Sequence, residues 1–212
     1  MSPGTSTADG EMNKGVIKFR CEWTRSLLVV DPDILDGIRL WRSRLRGVGF
    51  LGACPDGTGF GNLSVRMEGG RFLITGSGTG GLPELDSSHL ALVTRFSLEA
   101  NLVACRGLTP ASSESMSHAA IYRVRPDVGA VIHFHSKKIW QECRYKLPTT
   151  DPSLEYGTPE LALGLQQLVR GLDREAVQSV VMGGHKDGLL TFGPDLKGAG
   201  EGALGFAGRI RG

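Results

Sequence analysis

An α/β fold is predicted for this 212-residue chain. The first observation is a set of strand signals: alternation over 16–23, AVIHFHS at 130–136, VQSVVM at 177–182 and GLLTF at 188–192. The second is a pair of well-punctuated helical stretches at 31–47 and 158–170. The third is that two capped helices among these strands contradict an all-β barrel. The length suits one domain at roughly 100–200 residues each, with a core that needs no staples. We expect a single domain over 16–212, preceded by a disordered tail at 1–15.

That tail, MSPGTSTADGEMNKG, lacks the apolar core of a signal peptide. In VIKFRCEW, Ile17, Phe19, Cys21 and Trp23 alternate with Lys18, Arg20 and Glu22, as in a half-buried strand. SLLVV at 26–30 is a candidate partner. The 16–30 strand or hairpin is expected to cover a sheet edge or reach a neighbouring subunit. For the helix at 31–47, Asp31 can cap, Pro32 suits the first turn, and Gly47 and Gly49 stop it. Ile34, Ile38, Trp41, Leu45 and Val48 form one apolar stripe; Arg39, Arg42, Arg44 and Arg46 are read as a solvated basic face. Residues 50–81 read as loop and short strands, and 86–96 stays open between helix and strand. A helix is expected from about Ser113 to Arg125, ended by Pro126. Thr158 caps the next helix, Pro159 follows, Leu161, Leu165 and Leu168 make its stripe, and Gly171 stops it. The tail at 195–212 has low helix propensity.

Composition narrows the function. A net charge of +2 gives no general pull toward nucleic acid or acidic membranes. No apolar run approaches the roughly 18–20 residues of a membrane span. Cys21, Cys54, Cys105 and Cys143 form no CxxC, which fits a reducing, cytoplasmic setting. Glycine is high at 31 residues, and its clusters at 47–81 and 171–212 have no period. They point to turns where backbone approaches something closely.

His133 and His135 lie two apart on a strand, so both imidazoles face one side, about 6.6–6.8 Å apart along it. His185, in a turn between two strands, is placed to close the set. Three nitrogen ligands with an open position suit a catalytic divalent metal, most often zinc. Glu114 and His118, at i and i+4, share a helix face, and Glu114 sits in the first turn. Glu114 is therefore a candidate general base or fourth ligand, or simply a charge placed to suit the helix dipole. Three segments offer anion-binding groups: Gly61-Asn62-Leu63-Ser64, Thr75-Gly76-Ser77-Gly78, and Ser112-Ser113 at a helix start.

In order, GNLSVR (61–66), FLITGSG (72–78), PASSESMSHAAIYRVRPDVGAVIHFHS (110–136), EYGTPELA (155–162) and GGHKDGLLTFGPDL (183–196) resemble the class II aldolase/adducin family. Its members include fuculose-phosphate aldolase and ribulose-phosphate epimerase. The resemblance covers about residues 34–200; its most specific part is SSE, a helix, RPD and then H-x-H. It implies a three-layer α/β/α domain around a central, largely antiparallel sheet, often in a tetramer. It implies zinc or another divalent metal on His133, His135 and His185, and Glu114 as catalytic acid/base. It implies phosphate contacts at Gly61, Asn62, Ser77, Gly78, Ser112 and Ser113. Residues 1–30 have no counterpart, 136–155 is shorter than in the family, and no tyrosine follows Tyr156.

The expected function is a zinc lyase performing (retro-)aldol cleavage of a small phosphorylated ketose through a metal-stabilised enediolate, in a homo-oligomer. An epimerase or dehydratase on a sugar phosphate would use the same site. A non-catalytic interaction domain like the adducin head is the contrasting class, and retention of the three histidines and Glu114 speaks against it.

Overall fold

The computed structural model describes residues 17–175 and 177–209. The expected disordered tail at 1–15 lies outside them. In chain order the elements are β1 (Arg20–Arg25), α1 (Pro32–Gly47), β2 (Gly52–Ala53), β3 (Gly59–Phe60), β4 (Asn62–Arg66), β5 (Phe72–Thr75), β6 (Leu90–Ser97), β7 (Leu102–Gly107), α2 (Ser115–Val124), β8 (Ala130–His135), α3 (Lys137–Cys143), α4 (Pro159–Arg170), β9 (Gln178–Val181), β10 (Gly188–Gly193) and α5 (Leu196–Leu204). Among the described residues, one sheet runs in the order β1-β7-β6-β5-β4-β8-β10-β9, and β2 and β3 form a separate small ladder. The pairing is antiparallel except between β1 and β7.

Alternation along the strands builds three layers. On one face Phe72, Ile74, Val131, Leu190 and Phe192 pack with Ile121 of α2 and Leu161 and Leu165 of α4. On the other, Leu63, Ile132, Phe134 and Leu189 pack with Trp41 and Leu45 of α1, Ile139 of α3, and Ala199 and Ala203 of α5. The sheet is covered on both sides, so the fold is α/β/α, as expected. β8 is buried along its whole length, which is why it reads as a run rather than an alternation. His133 and His135 share phase with Val131 and so face the α2/α4 side.

The helix punctuation reads correctly. The Asp31 side chain accepts from Asp33 N (2.8 Å), and Pro32 opens α1. Thr158 Oγ1 accepts from Leu161 N (3.2 Å) at the start of α4. The glycine-rich α5 forms because it lies tightly on α1: a Cβ at Gly200 would sit 2.0 Å from the Trp41 ring. Segment 86–96 resolves as both: a single 3-10 turn at Ser87–His89, capped by Asp86, leads into β6, which has a bulge between Val93 and Arg95.

Two expectations are corrected. Residues 26–30 do not pair with the first strand; β1 runs parallel to β7 at the sheet edge, with Cys21 opposite Val103. Only Phe19 of its alternating set is fully buried, while Trp23 is 41% exposed. The basic side chains of α1 are not all solvated either. Arg42 is 3% exposed, and its guanidinium donates to the carbonyls of Thr79 (2.7 Å), Gly80 (3.1 Å), Leu82 and Pro83. A turn whose carbonyls point inward needs a buried donor, and an arginine fork supplies several from one side chain.

Candidate functional site

β8 carries two of the site's side chains between β4 and β10, where His133 lies opposite Asn62 on one side and Leu190 on the other. His133 Nδ1 donates to Leu189 O (3.0 Å). A carbonyl only accepts, so the neutral ring carries its proton on Nδ1 and keeps a lone pair on Nε2. That Nε2 lies 2.9 Å from His135 Nε2. His185 arrives from the turn between β9 and β10, and one nitrogen from each of the three rings lies within 4.8 Å of the others. All three are buried.

Gly188 is what lets the turn come so close. A Cβ there would meet His185 Cδ2 at 2.4 Å and His133 Cε1 at 3.1 Å. On its other side His185 is stacked on the Tyr156 ring, centroids 4.4 Å apart and planes 20° apart. Phe60 packs on His135 with centroids 5.4 Å apart.

Glu114 stands at the N-cap of α2, slightly before the helix rather than in its first turn. Its Oε2 accepts from Ser117 Oγ (2.8 Å). Its Oε1 is buried without a hydrogen-bond partner and lies 3.5 Å from His185 Nε2 and 4.0 Å from His133 Nε2. Burial pushes its pKa up to about 7, against the pull of the Ser117 hydroxyl and the Lys18 charge. Three clustered imidazoles beside a carboxylate oxygen left unsatisfied are a donor set that fits a borderline divalent cation such as zinc. His118 turns elsewhere. Its Nδ1 is 2.7 Å from Ser64 Oγ, which is 2.8 Å from Tyr122 OH. Burial, with His133 nearby, holds its pKa well below the usual histidine range.

The three anion-binding segments meet the same cleft. Gly61, Asn62, Gly76, Gly78, Ser112 and Ser113 line it together with Glu114, the three histidines, Phe60 and Tyr156. Asn62 Oδ1 is buried and unpartnered. Ser77 is not among the lining residues, although its neighbours are; its N–H donates to Pro110 O (2.9 Å). A bridge between Gly76 and Ala111 brings the glycine turn to the serines, and Arg42 and Arg46 hold the far end of that turn by its carbonyls. Burial, more than the nearby Arg46, lowers the Arg42 pKa to about 10. Phe60 from β3, Tyr156 from the loop before α4 and Arg42 from α1 reach the cleft or its walls without a local spacing signal of their own.

A family model described as Class II Aldolase and Adducin N-terminal domain matches residues 56–204. The 3-oxo-tetronate 4-phosphate decarboxylase of Haemophilus influenzae is 36% identical over 78 residues, 37% of this chain and 34% of that protein. The methylthioribulose-1-phosphate dehydratase of Serratia proteamaculans is 43% identical over 91 residues, 42% of this chain and 40% of that protein. The chain thus matches 34% to 40% of the length of these two curated relatives. Among solved structures, an L-fuculose 1-phosphate aldolase superposes with a TM-score of 0.63 at 21% identity, covering 85% of each chain.

Proposed function

The chain belongs to the class II aldolase and adducin family, and from that premise we propose that it is a divalent-metal-dependent lyase, with zinc the preferred ion, that cleaves a carbon–carbon bond of a small phosphorylated ketose. One observation supports this most: Glu114 Oε1 and the nitrogens of His133, His135 and His185 converge in the cleft that the glycine and serine loops also line. His133, His135 and His185 would hold the cation, which would supply the positive charge that polarises the substrate's carbonyl.

The chain's own residues do the rest. Glu114 gives or takes the proton at the carbon next to the carbonyl, through the Oε1 that faces the histidines. Gly61, Asn62, Gly78, Ser112 and Ser113, which line the cleft, hold the phosphate with N–H, amide and hydroxyl donors. Tyr156 and Phe60 pack against the imidazoles and keep them in place. A second reading is dehydration at the same carbon, favoured by relatives such as the Serratia protein named methylthioribulose-1-phosphate dehydratase. The homo-oligomer belongs to the same proposal; a particle of a single 22.7 kDa chain in light scattering removes it.

The test is a panel of pentulose and hexulose 1-phosphates with zinc-loaded protein. Release of dihydroxyacetone phosphate supports aldol cleavage, and loss of water without it supports dehydration. Neither, in protein that binds zinc fully, leaves a binding domain without this chemistry.

A further inference from the structure

The segment leading into β1 lies outside the residues matched by the family model, yet it reaches the wall of the cleft. Lys18 Nζ donates to Tyr156 O (2.9 Å) and to Glu155 Oε1 (3.0 Å). The same ammonium stands 5.1 Å from the centroid of the Tyr156 ring, and that ring is stacked on the imidazole of His185. Gly157 shows how tightly the two segments fit. It has φ +74°, and a Cβ there would meet Lys18 Cδ at 2.9 Å. The Lys18 carbonyl accepts from Asn101 Nδ2 (3.2 Å), and Arg20 N donates to Asn101 O (2.8 Å), so the segment is itself anchored beside β7.

We propose that Lys18 is a positioning residue of the candidate site: it fixes the 155–157 backbone and so keeps the Tyr156 ring stacked on His185. Three contacts converge on this residue, two made by its ammonium and one by its stem: a backbone hydrogen bond, a cation over the ring, and a glycine that admits the stem. Residues 155–157 lie between a loop and the cap of α4 and lack strand pairing of their own. An ammonium that bonds the Tyr156 carbonyl and faces its ring restrains both the backbone and the side chain of one residue. Its contact with the imidazole runs through Tyr156, so it positions rather than reacts. In general, removing a group that orients a metal-binding histidine costs about 10–100-fold in metal affinity.

The test uses the full chain, three variants and one further substitution for assignment. Lys18→Met keeps the stem and removes the donors and charge, Lys18→Arg keeps a cation, and Tyr156→Leu removes the ring. The first readout is the His185 ring-proton shifts by NMR in metal-free protein, assigned with His185→Gln. The Tyr156 face shields those protons, so Tyr156→Leu sets the full loss. Lys18→Met is expected to lose at least half of that shielding, and Lys18→Arg to retain most of it. The second readout, which rests on the function proposed above, is zinc affinity by competition with a chromophoric chelator, expected to weaken about 10-fold in Lys18→Met. Unchanged His185 shifts in Lys18→Met overturn the inference. If the shifts move but the wild type binds no zinc, the positioning role stands and the metal reading falls. If Lys18→Met fails to fold, Lys18→Gln is measured in its place by the same criteria.

Discussion

Gly188→Ala is the sharpest steric test of the histidine cluster. No positive φ is involved, so the substitution acts through space alone. Its new methyl would lie 2.4 Å from His185 Cδ2, against an ordinary carbon contact of about 3.5 Å. One side must give by about 1 Å. His133 Cε1, at 3.1 Å, is crowded on the same side, and the Tyr156 ring stacked on His185 blocks retreat on the other. The cost in stability should be that of overpacking, about 1–3 kcal/mol, or about 2–4 °C in Tm for each kcal/mol in a chain of this size. Displacing a ligand ring on this scale should weaken zinc binding by about 10–100-fold. The assay is chelator competition beside thermal unfolding of the metal-free chain. Gly47→Ala, where nothing lies within 4 Å of the new Cβ, serves as the control. A Gly188→Ala protein that binds zinc as tightly as wild type would show that His133 and His185 do not act together on one ion.

Inorganic phosphate should raise the wild-type melting temperature by mass action, by the equivalent of about 2.7 kcal/mol at a hundred times Kd. Ser113→Ala should need more phosphate for the same shift, and equal protection removes Ser113 from the anion site. Arg42→Met should cost about 2–4 kcal/mol in urea unfolding, because it strips donors from several turn carbonyls at once; a change within about 0.5 kcal/mol contradicts that account. His118 has a folded pKa well below the unfolded value of about 6.5. The unfolded chain therefore takes its proton first, and stability falls as pH drops below about 6.5, by about 1.4 kcal/mol per pH unit. His118→Gln should lose less stability between pH 7.5 and 5.5 than wild type, and equal losses would assign the acid sensitivity to other groups.

Local signals were legible and long-range ones were not. Asp31-Pro32 and Thr158-Pro159 announce helices because a cap and a fixed φ act within one turn. The alternation of Ile17, Phe19, Cys21 and Trp23 announces a strand, but alternation does not name a partner. SLLVV is near in sequence, yet the edge open to β1 was β7, some 80 residues away. Arg42 reads like its neighbours on the helix; only the inward carbonyls of residues 79–83, invisible in the sequence of α1, bury it. At the site, His133 and His135 were legible because strand periodicity sends both to one face. Tyr156 and Lys18 were not legible as neighbours, since what joins them is the packing of the segment before β1 against the loop before α4.

Glu114 as the proton-transfer group beside the three histidines is tested most directly by exchange of solvent deuterium into dihydroxyacetone phosphate. Zinc-loaded wild type and Glu114→Gln are compared at equal metal content. The variant keeps size and polarity, so it should retain zinc and the phosphate-induced rise in melting temperature. Wild type should exchange, and Glu114→Gln should be slower by about 10²-fold or more, the scale of a positioned acid/base. No exchange by fully loaded wild type, or equal exchange by Glu114→Gln, would contradict the role given to Glu114.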